Sequence, residues 1–170
     1  IIKHNKFDNI IGIDLGIKTF AVDNLGNTIE NPKILKQHQD KLAKAQRKLA
    51  KISRLKLGKE KRLAQKSHVA RLYSKAVNIR EDFLHKTSKN LIRNNDILIL
   101  EKLNIQNMVD SNSFKNLNRG IMDCAWRKLI DMIVYKAEEA GKQIIFVDAN
   151  GTSQECSKCG QVVVKNLSVR

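Results

Sequence analysis

Two apolar runs in this chain each end in a carboxylate: Ile10-Ile11-Gly12-Ile13-Asp14 and Ile97-Leu98-Ile99-Leu100-Glu101. An acid that closes a strand of isoleucine and leucine is destabilising unless something pairs with it. One divalent cation can answer two such groups, because Mg²⁺ is held through one or two carboxylates plus substrate phosphate oxygens. If the two strands run parallel with level ends, Asp14 and Glu101 form the core of a two-metal phosphodiester site. Singly, each has a plainer reading: Asp14 as the stabiliser of the turn at Leu15-Gly16, Glu101 as a solvated acid beside Lys102. Gly12 and Gly16 allow backbone or phosphate to come close to Asp14. Asp148 follows a third apolar run, Ile144-Ile145-Phe146-Val147. It reads as a loop residue or one standing behind the site, because Ala149-Asn150-Gly151 suggests a turn that uses its side chain locally.

A second constellation is Cys156-Ser157-Lys158-Cys159 followed by Gly160. Structural zinc takes four ligands, and the four histidines (His4, His38, His68, His85) are remote in sequence. The pair therefore reads as half a zinc ribbon, with the other half expected beyond Arg170. Without a thioredoxin-like context, a redox role is the weaker reading. Cys124, beside Trp126, reads as a small buried apolar residue. Three cysteines suit a reducing compartment.

The elements that must position these groups follow from pattern. Residues 10–31 read as a β-meander, with Asn24-Leu25-Gly26-Asn27 as a hairpin turn and Asn31-Pro32 as a sheet breaker and helix start. From 33 to 93, Leu35, Leu42, Leu49 and Ile52, then Val69, Leu72, Ala76, Ile79 and Phe83, with Leu91 after a slip, recur at coiled-coil spacing. That pattern predicts an antiparallel helical hairpin turning near Gly58. Strand returns at 96–100, residues 107–118 read as a polar loop, 121–140 as one amphipathic helix ending at Gly141, and 143–147 as a buried strand.

Charge is distributed unevenly. The chain of 170 residues carries 32 Lys+Arg against 17 Asp+Glu, a net +15. Residues 33–93 hold 19 of those bases and 4 of those acids, so the whole excess lies on the predicted hairpin. A Lys-rich helical face is often no more than a solvated one, held by i,i+4 ion pairs. Here the acids are too few to pair the bases, which points to a polyanionic partner. Lys41, Lys44, Arg47, Lys48, Lys51, Arg54, Lys66, Arg71 and Lys75 are the candidate contacts. With only 5% aromatic residues, backbone tracking is expected rather than base stacking. No run approaches the roughly 18 apolar residues of a spanning helix, and the start lacks a signal-peptide pattern, so the expectation is a cytoplasmic protein. The chain opens on Ile1 and closes on Arg170 just after Val162-Val163-Val164, which reads as a fragment of something longer.

Several motifs in order carry a resemblance: Gly12-Ile13-Asp14-Leu15-Gly16-Ile17-Lys18, the basic hairpin, Leu100-Glu101-Lys102-Leu103-Asn104, the helix with Trp126 and Tyr135-Lys136-Ala137-Glu138, and Thr152-Ser153-Gln154-Glu155 leading into the cysteine pair. Together they resemble the TnpB (OrfB) proteins of bacterial insertion sequences, relatives of compact type V CRISPR nucleases. The resemblance implies an α/β, ribonuclease H-like (RuvC) mixed sheet split by a long basic helical hairpin, with a partial zinc ribbon at the C-terminal end. It divides the chain into 1–32 and 94–150 for the RuvC-like parts, 33–93 for the insertion and 151–170 for the zinc-ribbon segment. It implies an RNA-guided, Mg²⁺-dependent DNA endonuclease of a transposable element, associated with transposition and DNA recombination. Asp14 and Glu101 match the first two catalytic acids, and Cys156 and Cys159 match the first zinc pair. Guide RNA and target DNA are the implied partners, with no membrane and no small-molecule substrate, in a bacterial, nucleoid-associated setting. The family's second cysteine pair and third strand-end Asp are absent here, so these 170 residues are expected to be inactive alone. A non-catalytic nucleic-acid-binding remnant or regulator is the alternative. An actin-type or heat-shock-type ATPase, suggested by residues 12–16 only, ranks third.

Overall fold

The computed structural model describes residues 9–110, 115–148 and 161. The cysteine pair Cys156/Cys159, the turn after Asp148, Val162–Val164 and the side chain of Leu35 lie outside the described residues.

Among the described residues, five strands form one mixed sheet: β1 (Ile10–Leu15), β2 (Thr19–Asp23), β3 (Thr28–Glu30), β4 (Ile97–Glu101) and β5 (Gln143–Val147), in the order β3-β2-β1-β4-β5. The first three are an antiparallel meander, and β1, β4 and β5 run parallel. The turn after β2 is built by Asp23, whose carboxylate accepts from the Leu25 and Asn27 N–H groups (2.9 and 2.8 Å) and from Asn27 Nδ2 (2.8 Å). Those bonds, the Asn27 side chain first, hold the Asp23 carboxyl below its ordinary range.

Between β3 and β4 lies the helical hairpin, α1 (Ile34–Arg54) and α2 (Lys59–Asn94), turning at Gly58, whose φ of 95° suits a residue without a Cβ. Its seam is less apolar than the heptad pattern implies. Ala45 and Ala76 are buried, Gln65 is buried with its Nε2 donating to the Ala45 carbonyl (3.0 Å), and Ile79 is exposed. Small residues let the two backbones approach, and the amide then finds a carbonyl within reach.

One face of the sheet carries the core. Ile11, Ile13, Leu15, Leu98 and Leu100 are buried in one cluster with Leu84 and Ile92 of α2 and with Leu129 and Ile133 of α5 (Trp126–Ala140). Phe20 of β2 meets Phe83 edge to face, with centroids 4.8 Å apart. Polar contacts also fasten α5 to α2: Lys128 pairs with Glu81, and Lys136 Nζ donates to Ser88 Oγ (2.6 Å) and the His85 carbonyl (3.0 Å). At the amino ends of the parallel strands, the Asp96 carboxylate accepts from Lys142 Nζ (2.7 Å) and from the Asn9 N–H (3.2 Å).

Three expectations need correction. The stretch 107–118 is not simply loop: α3 (Ile105–Asp110) and α4 (Lys115–Cys124) enter it from either side. Asn104 Oδ1 accepts from the Asn107 N–H (3.1 Å), and Ile105, Met108 and Val109 pack on the core, so a polar-looking stretch gains one apolar face. Residues 121–140 are two helices, because Ala125 takes a left-handed conformation (φ 50°) that separates α4 from α5. The break lets Ile121 and Cys124 enter the core from one direction and Trp126 and Leu129 from another. Cys124 is buried as expected, and burial pushes its thiol up to about 11. Finally, β5 is not buried. Among the described residues it is an edge strand flanked by β4 alone, and Ile145, Phe146 and Val147 are all exposed.

Two stability predictions follow from the backbone. A Cβ at Gly16 would lie 2.7 Å from the Thr19 carbonyl oxygen, so Gly16→Ala should cost about 1–3 kcal/mol and lower the melting temperature. Ala125→Gly should act oppositely, stabilising by about 1 kcal/mol in denaturant titrations because glycine adopts that φ without strain. Unchanged stability in either variant would contradict the local geometry.

Candidate phosphodiester cleft

Strand register decides where the acids fall. Ile10↔Ile97 through Ile13↔Leu100 pair in parallel, so the next positions, Asp14 and Glu101, are level on neighbouring strands. Alternation does the rest. Ile11, Ile13, Leu98 and Leu100 face the helices, which turns Gly12, Asp14, Ile99 and Glu101 to the other face. In the next pair, Glu101 is opposite Val147, and Asp148 follows directly.

Asp14, Glu101 and Asp148 all line one cavity of about 660 Å³ at the carboxyl ends of the parallel strands, together with Asp23 and Asn24 from the β2 side. Asp23 is committed to its turn. The other three carboxylates have no hydrogen bond or ion pair to any described residue. In contrast, Lys86–Asp82, Arg127–Asp131, Lys128–Glu81 and Lys142–Asp96 all pair elsewhere. Three unengaged acids in a chain of net +15 make an all-oxygen donor set that suits a hard cation. Among the described residues, no three His, Cys, Asp or Glu side chains are gathered tightly enough to enclose a metal by themselves.

Asp14 and Glu101, the acids that the sequence pattern singles out, both line this cleft, and Asp148, which reads from sequence as a loop residue, lines it too. Its signal was the same one, an apolar parallel strand running into an acid. Asn24, read only as part of a turn, also lines the cavity. Gly16 answers to the Thr19 carbonyl, so its lack of a Cβ is explained by the turn.

The nine candidate bases, Lys41, Lys44, Arg47, Lys48, Lys51 and Arg54 on α1 and Lys66, Arg71 and Lys75 on α2, are all exposed. None of them forms an ion pair with a described residue. No helix among the described residues is long and apolar enough to cross a membrane.

A mixed five-stranded sheet in this order, interrupted by helices and carrying acids at its carboxyl edge, defines a ribonuclease H-like (RuvC) class of fold. The chain belongs to the OrfB (TnpB-like) family: the OrfB_IS605 model, described as "Probable transposase", matches residues 3–112. A "Cas12f1-like, TNB domain" model matches residues 126–170. A relative from Streptomyces pristinaespiralis named "Putative RNA-guided DNA endonuclease" is 35% identical over 153 residues, covering 89% of this chain and 37% of its own. A similarly named InsQ protein of Escherichia coli K12 is 29% identical over 170 residues, covering 93% of this chain and 42% of its own. Among solved structures, the Cas12f1 chain of a Cas12f1-sgRNA-target DNA complex shares the fold, with a TM-score of 0.53 and 20% identity over 91% of this chain and 39% of that one. The chain thus spans about two fifths of the length of these relatives.

Proposed function

We propose that this chain is the RuvC-like part of an RNA-guided, Mg²⁺-dependent DNA endonuclease of a transposable element. The observation that carries the reading is the convergence of Asp14 and Glu101, unpaired, on one cleft. Bound there, Mg²⁺ would supply charge neutralisation at the phosphate and a more acidic water. Asp14 and Glu101 hold the cation, and the sheet fixes both side chains on rigid strands. Gly12 leaves the floor beside Asp14 open to a strand. The nine hairpin bases hold the guide RNA and target DNA through their phosphates, by counterion release. Cys156 and Cys159 supply half of a structural zinc site in the segment 151–170, and 33–93 is the insertion between the two RuvC-like parts. The setting is the bacterial cytoplasm, at the nucleoid.

The 170 residues alone bind nucleic acid without cutting it, since Asp14, Glu101 and Asp148 line the cleft without forming a metal-enclosing cluster among the described residues. Incubating the purified chain with plasmid DNA and Mg²⁺ tests this. No nicking is expected. Nicking abolished by Asp14→Ala would prove the chain self-sufficient, and nicking indifferent to Asp14 and Glu101 would remove the cleft from the chemistry.

A further inference from the structure

Among the described residues, the cleft presents four acids (Asp14, Asp23, Glu101, Asp148) and one amide, Asn24, and neither Lys nor Arg lines it. A nucleic-acid strand entering it must lay a phosphate among carboxylates. A cation neutralises part of that charge, but a non-bridging oxygen still gains from a fixed hydrogen-bond donor.

Asn24 is held at two points. Its N–H donates to the Gly12 carbonyl (3.0 Å), and its Oδ1 accepts from the Gly12 N–H (3.1 Å). An amide whose oxygen faces a backbone N–H has its orientation settled, so Nδ2 is the end turned away. Nδ2 has no partner among the described residues. Opposite it, Gly12 contributes no side chain. A Cβ built there would meet only Asn24 Cβ, at 3.9 Å, so the space over Gly12 and next to Asp14 is open. In register, Gly12 and Asn24 share the sheet face that Asp14 and Val22 share two positions further on.

We propose that Asn24 Nδ2 donates to a non-bridging phosphate oxygen of the strand that enters the cleft, holding that strand beside Asp14. The proposal rests on the reading of the cleft as a phosphodiester site. Asparagine suits the position because one planar group both accepts from Gly12 and donates outward. Aspartate would keep the first bond and replace the donor with a repelling charge.

Anisotropy of a fluorescent single-stranded oligonucleotide, titrated with the full chain in Ca²⁺ and separately in EDTA, tests it. In Ca²⁺, Asn24→Asp should weaken binding about tenfold and Asn24→Ala by a smaller factor in the same direction. In EDTA the strand is held by the hairpin alone, and both variants should match the wild type. Equal affinity of wild type and Asn24→Asp in Ca²⁺ overturns the proposal, as does an equal loss in both buffers. A different result, no Ca²⁺ enhancement in the wild type and no effect of Asp14→Asn, sinks the cleft reading itself and the Asn24 assignment with it. Matched melting temperatures of Asn24→Asp and wild type separate the lost contact from a damaged turn.

Discussion

Titrating Mg²⁺ into the metal-free chain should raise its melting temperature, and Asp14→Asn or Glu101→Gln should abolish the rise. A ligand that binds only the folded state at about a hundred times its dissociation constant stabilises by about 2.7 kcal/mol. For a domain of this size that corresponds to about 5–10 °C. The sign in EDTA is just as diagnostic. Asp14 and Glu101 are level on adjacent parallel strands, and no described residue offsets their charges. Two like charges on adjacent strands repel, so neutralising either should relieve some destabilisation when no cation is present. The variants should therefore melt at or above the wild type without metal and below it with metal. Crossed curves of this kind distinguish a metal site from a pair of structural acids, whose removal would lower stability in both buffers. A Mg²⁺-induced rise that survives in both variants would place the ion elsewhere.

That two acids 87 positions apart could be matched from sequence reflects how parallel sheets are built. A buried parallel strand reads as a nearly continuous apolar run, and its polar end is conspicuous. The same logic applied to Asp148, but the Asn-Gly turn signal after it outweighed the strand before it. Exposure of β5 was not legible because nothing local distinguishes an edge strand from a central one; Ile144-Ile145-Phe146-Val147 would serve either place. The break at Ala125 was also hidden, since alanine is the best intrinsic helix former and only the packing of Ile121, Cys124 and Trp126 into one core requires the left-handed residue. By contrast the hairpin turn was legible at Gly58, where a glycine interrupts two long basic periodic segments. Its seam was not, because Gln65 and Ala76 owe their burial to the partner helix.

Replacing Arg47, Lys48, Lys51 and Arg54 together by glutamine should reduce duplex binding about a hundredfold at 0.1 M salt and lower the log–log salt slope by about 3.6. Each base that neutralises a phosphate releases a condensed counterion, which contributes about 0.9 to the slope for duplex DNA. Glutamine keeps the helix, since its propensity matches that of lysine and arginine, so α1 should persist by circular dichroism. The useful control is a base that is already paired. Lys86 lies on the same hairpin, but its Nζ contacts Asp82 at 2.7 Å, and Lys86→Gln should leave the slope nearly unchanged. If the quadruple variant and the control behaved alike, net charge and not the unpaired α1 face would be what draws the polyanion. The same four substitutions should also stabilise the free chain at low ionic strength and lose that advantage in high salt, because the charges that attract phosphate repel one another until a partner arrives. A hairpin tuned for its own stability would have paired these bases. Leaving them exposed and unpaired is the arrangement expected of a surface whose acids come from another molecule.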